Sequence, residues 1–144
     1  MRWFHALRHQ VVGVDRAPEA IAAVAHLGEA VTADIENGPW PFAGREFAAV
    51  VLTNYLWRPL LPQIMASLAP DGVLLWETFA RGNETVGKPS SPDFLLTHGE
   101  LLRACAALRV VAFEDGFLDN PPRFVQRIVA VRASAADART RYAL

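Results

Sequence analysis

Short β-rich apolar runs alternate with stretches of helical spacing along most of this chain, and the alternation restricts it to an α/β architecture, helices packed on the faces of a sheet. Gln10–Val14 is a buried strand ending on Asp15, and Ala30–Ala33 is a second with Asp34 at its carboxyl end. Phe47–Thr53 is the strongest strand, and Val73–Glu77 follows the turn Asp71-Gly72. Met1–Leu7 reads as the last turns of a helix. Pro18 and Glu19 open another through about His26, because proline is tolerated at the first helical position and an acid suits the positive end of the helix dipole. Gly28 closes it as a C-terminal cap. After Pro59 or Pro62, the residues Leu60, Leu61, Ile64, Met65 and Leu68 recur at helical spacing and form one apolar face.

The segment Arg81–Asp93 has no periodicity and reads as a surface loop or lid, in which Arg81, Asn83, Glu84 and Lys88 could bind a carboxylate or other polar group on a substrate, with a solvated charged loop as the favoured reading. Thr97 and Glu100 then fit a capping box at the start of a helix whose inner side is Leu101, Leu102, Cys105 and Leu108. Arg109–Phe117 and Phe124–Arg132 are strands joined by Asp119–Arg123. That connection is too short for a parallel crossover, so the two are antiparallel if they pair directly.

At 144 residues the chain fits one compact domain, expected over 1–132, with 133–144 a frayed tail. Basic and acidic residues number 14 and 15, which removes the electrostatic case for nucleic acid or an anionic membrane and leaves a small molecule as the expected partner. Cys105 is the lone cysteine, so neither an intrachain disulfide nor a cysteine zinc cluster can form, and the expected compartment is the cytoplasm. His5, His9, His26 and His98 lack metal-ligand spacing, and no metal is assigned.

The order of elements, two strands ending on acids and a closing antiparallel hairpin, resembles the class I methyltransferase fold that uses S-adenosylmethionine. The motifs Gly13-Val-Asp15, Pro39-Trp-Pro-Phe42, Thr53-Asn-Tyr-Leu56, Arg58-Pro-Leu-Leu61, Glu77-Thr-Phe79, Gly82-Asn-Glu84 and Pro92-Asp-Phe-Leu-Leu96 are similar to a small bacterial methyltransferase-domain group related to the tellurite-resistance methyltransferases. The resemblance implies a Rossmann-like sheet, mostly parallel with an antiparallel C-terminal hairpin. It implies that Asp15, with Arg16 beside it, meets the cofactor ribose, where open α/β sheets bind ligands at strand carboxyl ends. It further implies that Asp34 accepts from the adenine amino group with Ile35 against the base, that Thr53 lies by the transferred methyl, and that Asn54, Tyr55 and Glu77 meet the acceptor. Each residue has a plain structural alternative. Asp15 can cap the helix at Pro18, Asp34 can hold an Asx turn, Thr53–Tyr55 can be a strand-end turn, and Glu77 can be a solvent-facing acid. Trp57 stands where members of the group often carry a histidine, and an indole cannot take a proton.

The nine glycines are isolated from one another and none precedes Gly13, so the chain has no GxGxG turn. Aligning Val11–Asp15 with the family's second strand places Met1 inside the first helix. The chain thus reads as truncated at its N-terminus, lacking the first strand and the glycine-rich loop. In the family that strand lies between the second and fourth. Its neighbours are therefore expected to stand about twice the ~4.8 Å pairing distance apart, to expose unpaired edges, or to close up. Arg8 falls where relatives turn from helix to strand on a glycine, at a cost of about 1 kcal/mol if it is left-handed. The expectation is methyl transfer to a small acceptor by the complete protein, with weak S-adenosylmethionine binding or none by this chain. Two other readings stay open: a non-catalytic interaction protein, such as a homo-oligomer covering exposed sheet edges, and a nucleotide-binding Rossmann protein using Asp15 for a ribose.

Overall fold

The computed structural model describes residues 1–134 and Tyr142. The frayed tail expected over 133–144 falls mostly on 135–141, 143 and 144, which lie outside the described residues. The chain divides into two compact units, Met1–Ala43 and Gly44–Leu144.

In the first unit, helix α1 (Arg2–Ala6) ends at Leu7, and Arg8 turns the chain in the left-handed region at φ 65°. The Arg8 N–H donates to His5 O at 2.8 Å and the His9 N–H to Phe4 O at 3.1 Å. These are the two bonds of a Schellman cap, here built on arginine where glycine is the unstrained choice. Strand β1 (Val12–Asp15) follows, then helix α2 (Pro18–Ala22), a one-turn 3-10 helix (Ala25–Leu27) and strand β2 (Glu29–Thr32). The chain leaves α geometry at Val24, where φ is −124°, so the α-helix is shorter than the sequence pattern predicts. The two strands pair in parallel from Val12↔Glu29 to Asp15↔Thr32. Gly28 serves this pairing more than the helix end. A Cβ there would lie 2.2 Å from Val11 O, and the Glu29 N–H donates to that same carbonyl at 3.0 Å.

The second unit begins with strand β3 (Phe47–Thr53), as its apolar run predicts. A 3-10 turn (Arg58–Leu60) leads into helix α3 (Leu61–Ala66), then strand β4 (Leu68–Phe79). Helix α4 (Glu100–Ala104) and strands β5 (Arg109–Asp119) and β6 (Pro122–Val131) complete it. The sheet order is β3-β4-β6-β5. β3 and β4 are parallel, while β6 runs antiparallel to both β4 and β5, so the sheet is parallel outside the closing hairpin.

β4 starts earlier than the sequence predicts, because Asp71-Gly72 lies inside the strand as an irregularity. The register with β3 jumps from Phe47↔Leu68 to Ala49↔Val73, and Asp71 is left-handed at φ 61°. Its N–H donates to Arg132 O at 2.8 Å, and its carboxylate accepts from the Ser134 N–H and hydroxyl at 2.9 and 2.8 Å. A Cβ on Gly72 would stand 2.7 Å from Ala69 O and 3.0 Å from Phe47 O.

One face of this sheet forms the core. Leu74, Trp76 and Thr78 of β4 and Gln126, Ile128 and Ala130 of β6 are buried, together with Ile64 of α3 and Leu101 of α4. Gln126, fully buried, is satisfied at both ends: its Oε1 accepts the Leu101 N–H at 3.1 Å and its Nε2 donates to Thr97 O at 2.7 Å. A strand side chain thereby satisfies a free N–H of the first turn of α4. On the opposite face, Val51, Leu75 and Val129 form a cross-strand row that is half-buried or exposed.

The segment after β4 is pinned. Asn83 is 1% exposed; its Nδ2 donates to Pro89 O at 3.0 Å and its Oδ1 accepts the Phe124 N–H at 3.3 Å. Leu95 and Leu96 are buried, the Arg81 N–H donates to Leu96 O at 2.9 Å, and the Leu96 N–H to Phe79 O at 2.9 Å. The segment expected as a surface loop or lid over Arg81–Asp93 is exposed at 84–88 and tied to the unit at Arg81, Asn83 and Pro89. Of the expected helix face, Leu101 and Cys105 are buried, whereas Leu102 is exposed. Among the described residues no helix is long and apolar enough to cross a membrane.

Candidate functional site

The residues singled out by the sequence divide between the two units, with Asp15, Arg16, Asp34 and Ile35 in the first and Thr53, Asn54, Tyr55 and Glu77 in the second.

In the first unit, parallel pairing sets the carboxyl ends of β1 and β2 side by side. Asp15 is in register with Thr32, and the Ala33 N–H donates to Asp15 O at 3.0 Å, so Asp34 follows immediately. The Asp15 Oδ1 accepts the Ala17 N–H at 2.8 Å, which holds the turn into α2, and its side chain is exposed. Asp15 therefore holds the turn before α2 and does not cap the helix, whose N-cap Ala17 has no side-chain cap bond, and its second carboxylate oxygen stays open. Asp34 is more committed. Its Oδ1 accepts the N–H groups of Glu36 and Asn37 at 3.0 and 3.1 Å, and its Oδ2 accepts the Asn37 side-chain amide at 2.9 Å. The Asn37 amide, then those backbone N–H groups, hold the Asp34 carboxyl below its ordinary value, with a smaller pull from Arg16. Asp34 is a local turn former and stays ionised. Ile35 is half-buried.

In the second unit, Thr53 is in register with Glu77, and the Asn54 N–H donates to Glu77 O at 2.9 Å. Asn54 is left-handed at φ 53°, a conformation asparagine tolerates better than most side chains, and it is exposed. The next carbonyl, of Tyr55, accepts the Trp76 indole N–H at 3.1 Å, and Leu56 is buried. Three consecutive residues after β3 are therefore fixed from beneath while Thr53 and Asn54 face solvent.

Two ion-pair groups border this loop, and reading the residues one by one missed both. Arg58 forms a fork onto Glu100, with Nε at 2.7 Å and Nη2 at 3.1 Å, and also donates to Asp93 O at 2.7 Å and Leu95 O at 3.1 Å. The Glu100 carboxylate accepts the Thr97 N–H and hydroxyl at 2.8 and 2.9 Å. This is half of the expected capping box: the glutamate reaches back as predicted, while the threonine hydroxyl donates to it and does not accept a backbone N–H. Burial raises the Glu100 pKa, but the Arg58 and Thr97 hydrogen bonds outweigh it and bring the value down to about 2. The second group crosses the sheet. Glu77 accepts from Arg127 at 2.5 Å, Arg127 reaches Glu114 at 3.2 Å, and Arg123 approaches Glu77 at 3.7 Å. Glu77, Arg127 and Glu114 are register partners on β4, β6 and β5. The Arg127–Glu114 half was available from the sequence by counting out from the hairpin turn; the Glu77 half needs the long-range β4–β6 pairing. Glu77 is thus a structural ion-pair partner, whatever else it meets.

Cys105 is buried, and burial pushes its thiol up to about 11, so it is unreactive. Among the described residues no three histidine, cysteine or acidic side chains gather as metal ligands would.

TehB from Haemophilus influenzae superposes with a TM-score of 0.72 over 91% of this chain at 14% identity, and its fold is that of the class I methyltransferases. This chain has the class I methyltransferase fold. NodS from Bradyrhizobium japonicum WM9, an N-methyltransferase, gives a TM-score of 0.63 over 87% of the chain, also at 14% identity. The chain spans 52% of TehB, about half its length, and 74% of NodS. No protein-family pattern and no curated protein sequence matches the chain. At this identity the likeness to methyltransferases is one of backbone architecture, and the terminal hairpin inserted beside parallel strands is part of it.

Proposed function

We propose that the chain belongs to an S-adenosylmethionine-dependent methyltransferase acting on a small acceptor. The observation that carries this is the methyltransferase fold, together with two acids at adjacent carboxyl ends of β1 and β2. In this reading the exposed oxygen of Asp15 accepts from the cofactor ribose, beside Arg16. Asp34 and Ile35 border the adenine, Asp34 with little acceptor capacity beyond its turn. Thr53 lies by the transferred methyl, and Asn54 and Tyr55 orient the acceptor. Glu77 acts through its ion pairs, holding the strand end beneath them. The cofactor's sulfonium supplies an already activated methyl, so the protein's contribution is alignment.

The sequence holds no GxGxG turn, and the residues present fit the adenosine portion better than the methionine portion. Binding of S-adenosylhomocysteine by the 144-residue chain is therefore weak. Isothermal titration tests this: weak heat that disappears in Asp15→Ala supports the reading, and micromolar affinity overturns the predicted weakness. A second reading is a non-catalytic protein that acts by association; among the described residues β1 and β3 each pair on one side within their sheets. A nicotinamide-binding protein is disfavoured by the antiparallel hairpin. Thermal shift comparing S-adenosylhomocysteine with a nicotinamide dinucleotide separates the two.

A further inference from the structure

We infer that Arg81 and Arg123 form an anion subsite, holding a carboxylate or phosphate group of the acceptor while its reacting atom lies at Thr53. That the anion belongs to an acceptor rests on the methyltransferase reading; that an anion binds here does not. β4 and β6 pair antiparallel with Glu77 opposite Arg127 and Phe79 opposite Val125, and the ladder runs one bond further, the Ala80 N–H donating to Phe124 O at 2.9 Å. The Arg81 N–H points the other way, to Leu96 O at 2.9 Å, as the next residue of an extended strand does. The register therefore sets Arg81 opposite Arg123, on the face that carries Glu77 and Arg127. Like charges facing each other across a strand pair are destabilising.

The carboxylates in reach do not offset this pair. Glu77 Oε2 and Glu114 both go to Arg127. What remains for Arg123 is Glu77 Oε1 at 3.7 Å, beyond hydrogen-bond length. Glu84 turns back onto the Gly82 N–H at 2.8 Å. Among the described residues neither the Arg81 nor the Arg123 side chain donates a hydrogen bond. The guanidiniums of Arg81, Arg123 and Arg127 thus share the carboxylates of Glu77 and Glu114, which leaves positive charge in excess at the carboxyl end of β4, the end at which open α/β sheets bind ligands. This balance is a property of β4, β5 and β6 alone. Guanidinium forks match the oxygens of carboxylate and phosphate, and an anion between the two arginines turns their repulsion into charge-assisted hydrogen bonds. Glu77 is also the register partner of Thr53, so Arg123 holds its charge one strand from the residue proposed beside the transferred methyl. A small acceptor can span the two.

An NMR titration of the 144-residue chain with acetate and, separately, with inorganic phosphate, at low ionic strength and without cofactor, tests the inference. The expected result is saturable shifts at the Arg81 and Arg123 side-chain Nε–H groups and at the Gly82 and Phe124 amides, with the tighter of the two probes naming the group. Arg81→Gln and Arg123→Gln should each weaken that binding by about tenfold or more, with an unchanged circular dichroism spectrum. Arg2→Gln, at an exposed residue of α1, should leave it unchanged. Unsaturable shifts spread over all exposed arginines, or binding that survives both substitutions, would overturn it. Failure of the anion titration while S-adenosylhomocysteine still binds at Asp15 sinks the subsite alone. Anion binding with no response to S-adenosylhomocysteine sinks the acceptor assignment together with the methyltransferase reading.

Discussion

The two units solve the same problem, covering a parallel strand pair, with very unequal means. Among the described residues, Ile21 and Phe42 are the buried apolar side chains of Met1–Ala43, whereas Gly44–Leu144 buries Leu60, Ile64, Leu68, Leu74, Leu101 and Ile128 among others. A two-stranded sheet with two five-residue helices and a single 3-10 turn is marginal by itself, since so little apolar surface leaves water. The acids at its strand ends therefore sit on the weaker scaffold, and the loop after β3 on the stronger. Stability in this chain is set by the second unit, and adenosine recognition is proposed for the first.

The largest test of that contrast compares one core truncation in each unit. Ile64→Ala, at a site 1% exposed, should cost about 2–5 kcal/mol in urea denaturation, as truncations of close-packed interiors do. Ile21→Ala, at a site 9% exposed, should cost less and leave the main transition near its wild-type midpoint. Equal losses would break the comparison.

The next effect is that of Arg58. Arg58→Ala leaves Glu100 and the Asp93 and Leu95 carbonyls without their donor, and should cost about 1–3 kcal/mol; Arg58→Lys should restore only part, because an ammonium cannot form the fork. The same pair fixes a pH dependence. Glu100 has its folded pKa lowered from 4.5 to about 2, so its contribution is present above the ordinary value and is lost as pH falls toward 2. Stability should therefore decline from about pH 4.5 to 2, and Glu100→Gln should flatten that decline, as denaturation midpoints across the window would show.

The smallest effect sharpens the contrast from the weak side. Arg8→Gly relieves a left-handed arginine and should stabilise the first unit by about 1 kcal/mol, read as slower amide exchange in β1.

The parts of the fold that were legible in the sequence are those specified locally. Phe47–Thr53 is an uninterrupted apolar run, and the Asn120-Pro121 turn allows its flanking strands only antiparallel pairing. The left-handed Arg8 followed from the family resemblance, since relatives turn from helix to strand on a glycine at that place. Features that depend on distant partners were not legible. Asp71-Gly72 looks like a turn before a strand, and becomes an irregularity within one only because Arg132 and Ser134 hold Asp71. Asn83 looks like a loop residue until Pro89 and Phe124 bury it. The site divides the same way. Strand-end positions followed from the pattern, and the Asp34 turn was foreseeable from its neighbours. Glu77's commitment to Arg127, fifty positions away, was not.

The central claim is that the weaker unit carries the adenosine site. A nitrogen–proton correlation NMR titration with S-adenosylhomocysteine at millimolar concentration, repeated with Asp15→Ala, tests it most directly. The account predicts fast-exchange shifts concentrated at Asp15, Arg16 and residues 33–36 that vanish in the variant. Shifts confined to the second unit, or none at all at saturating ligand, would contradict it.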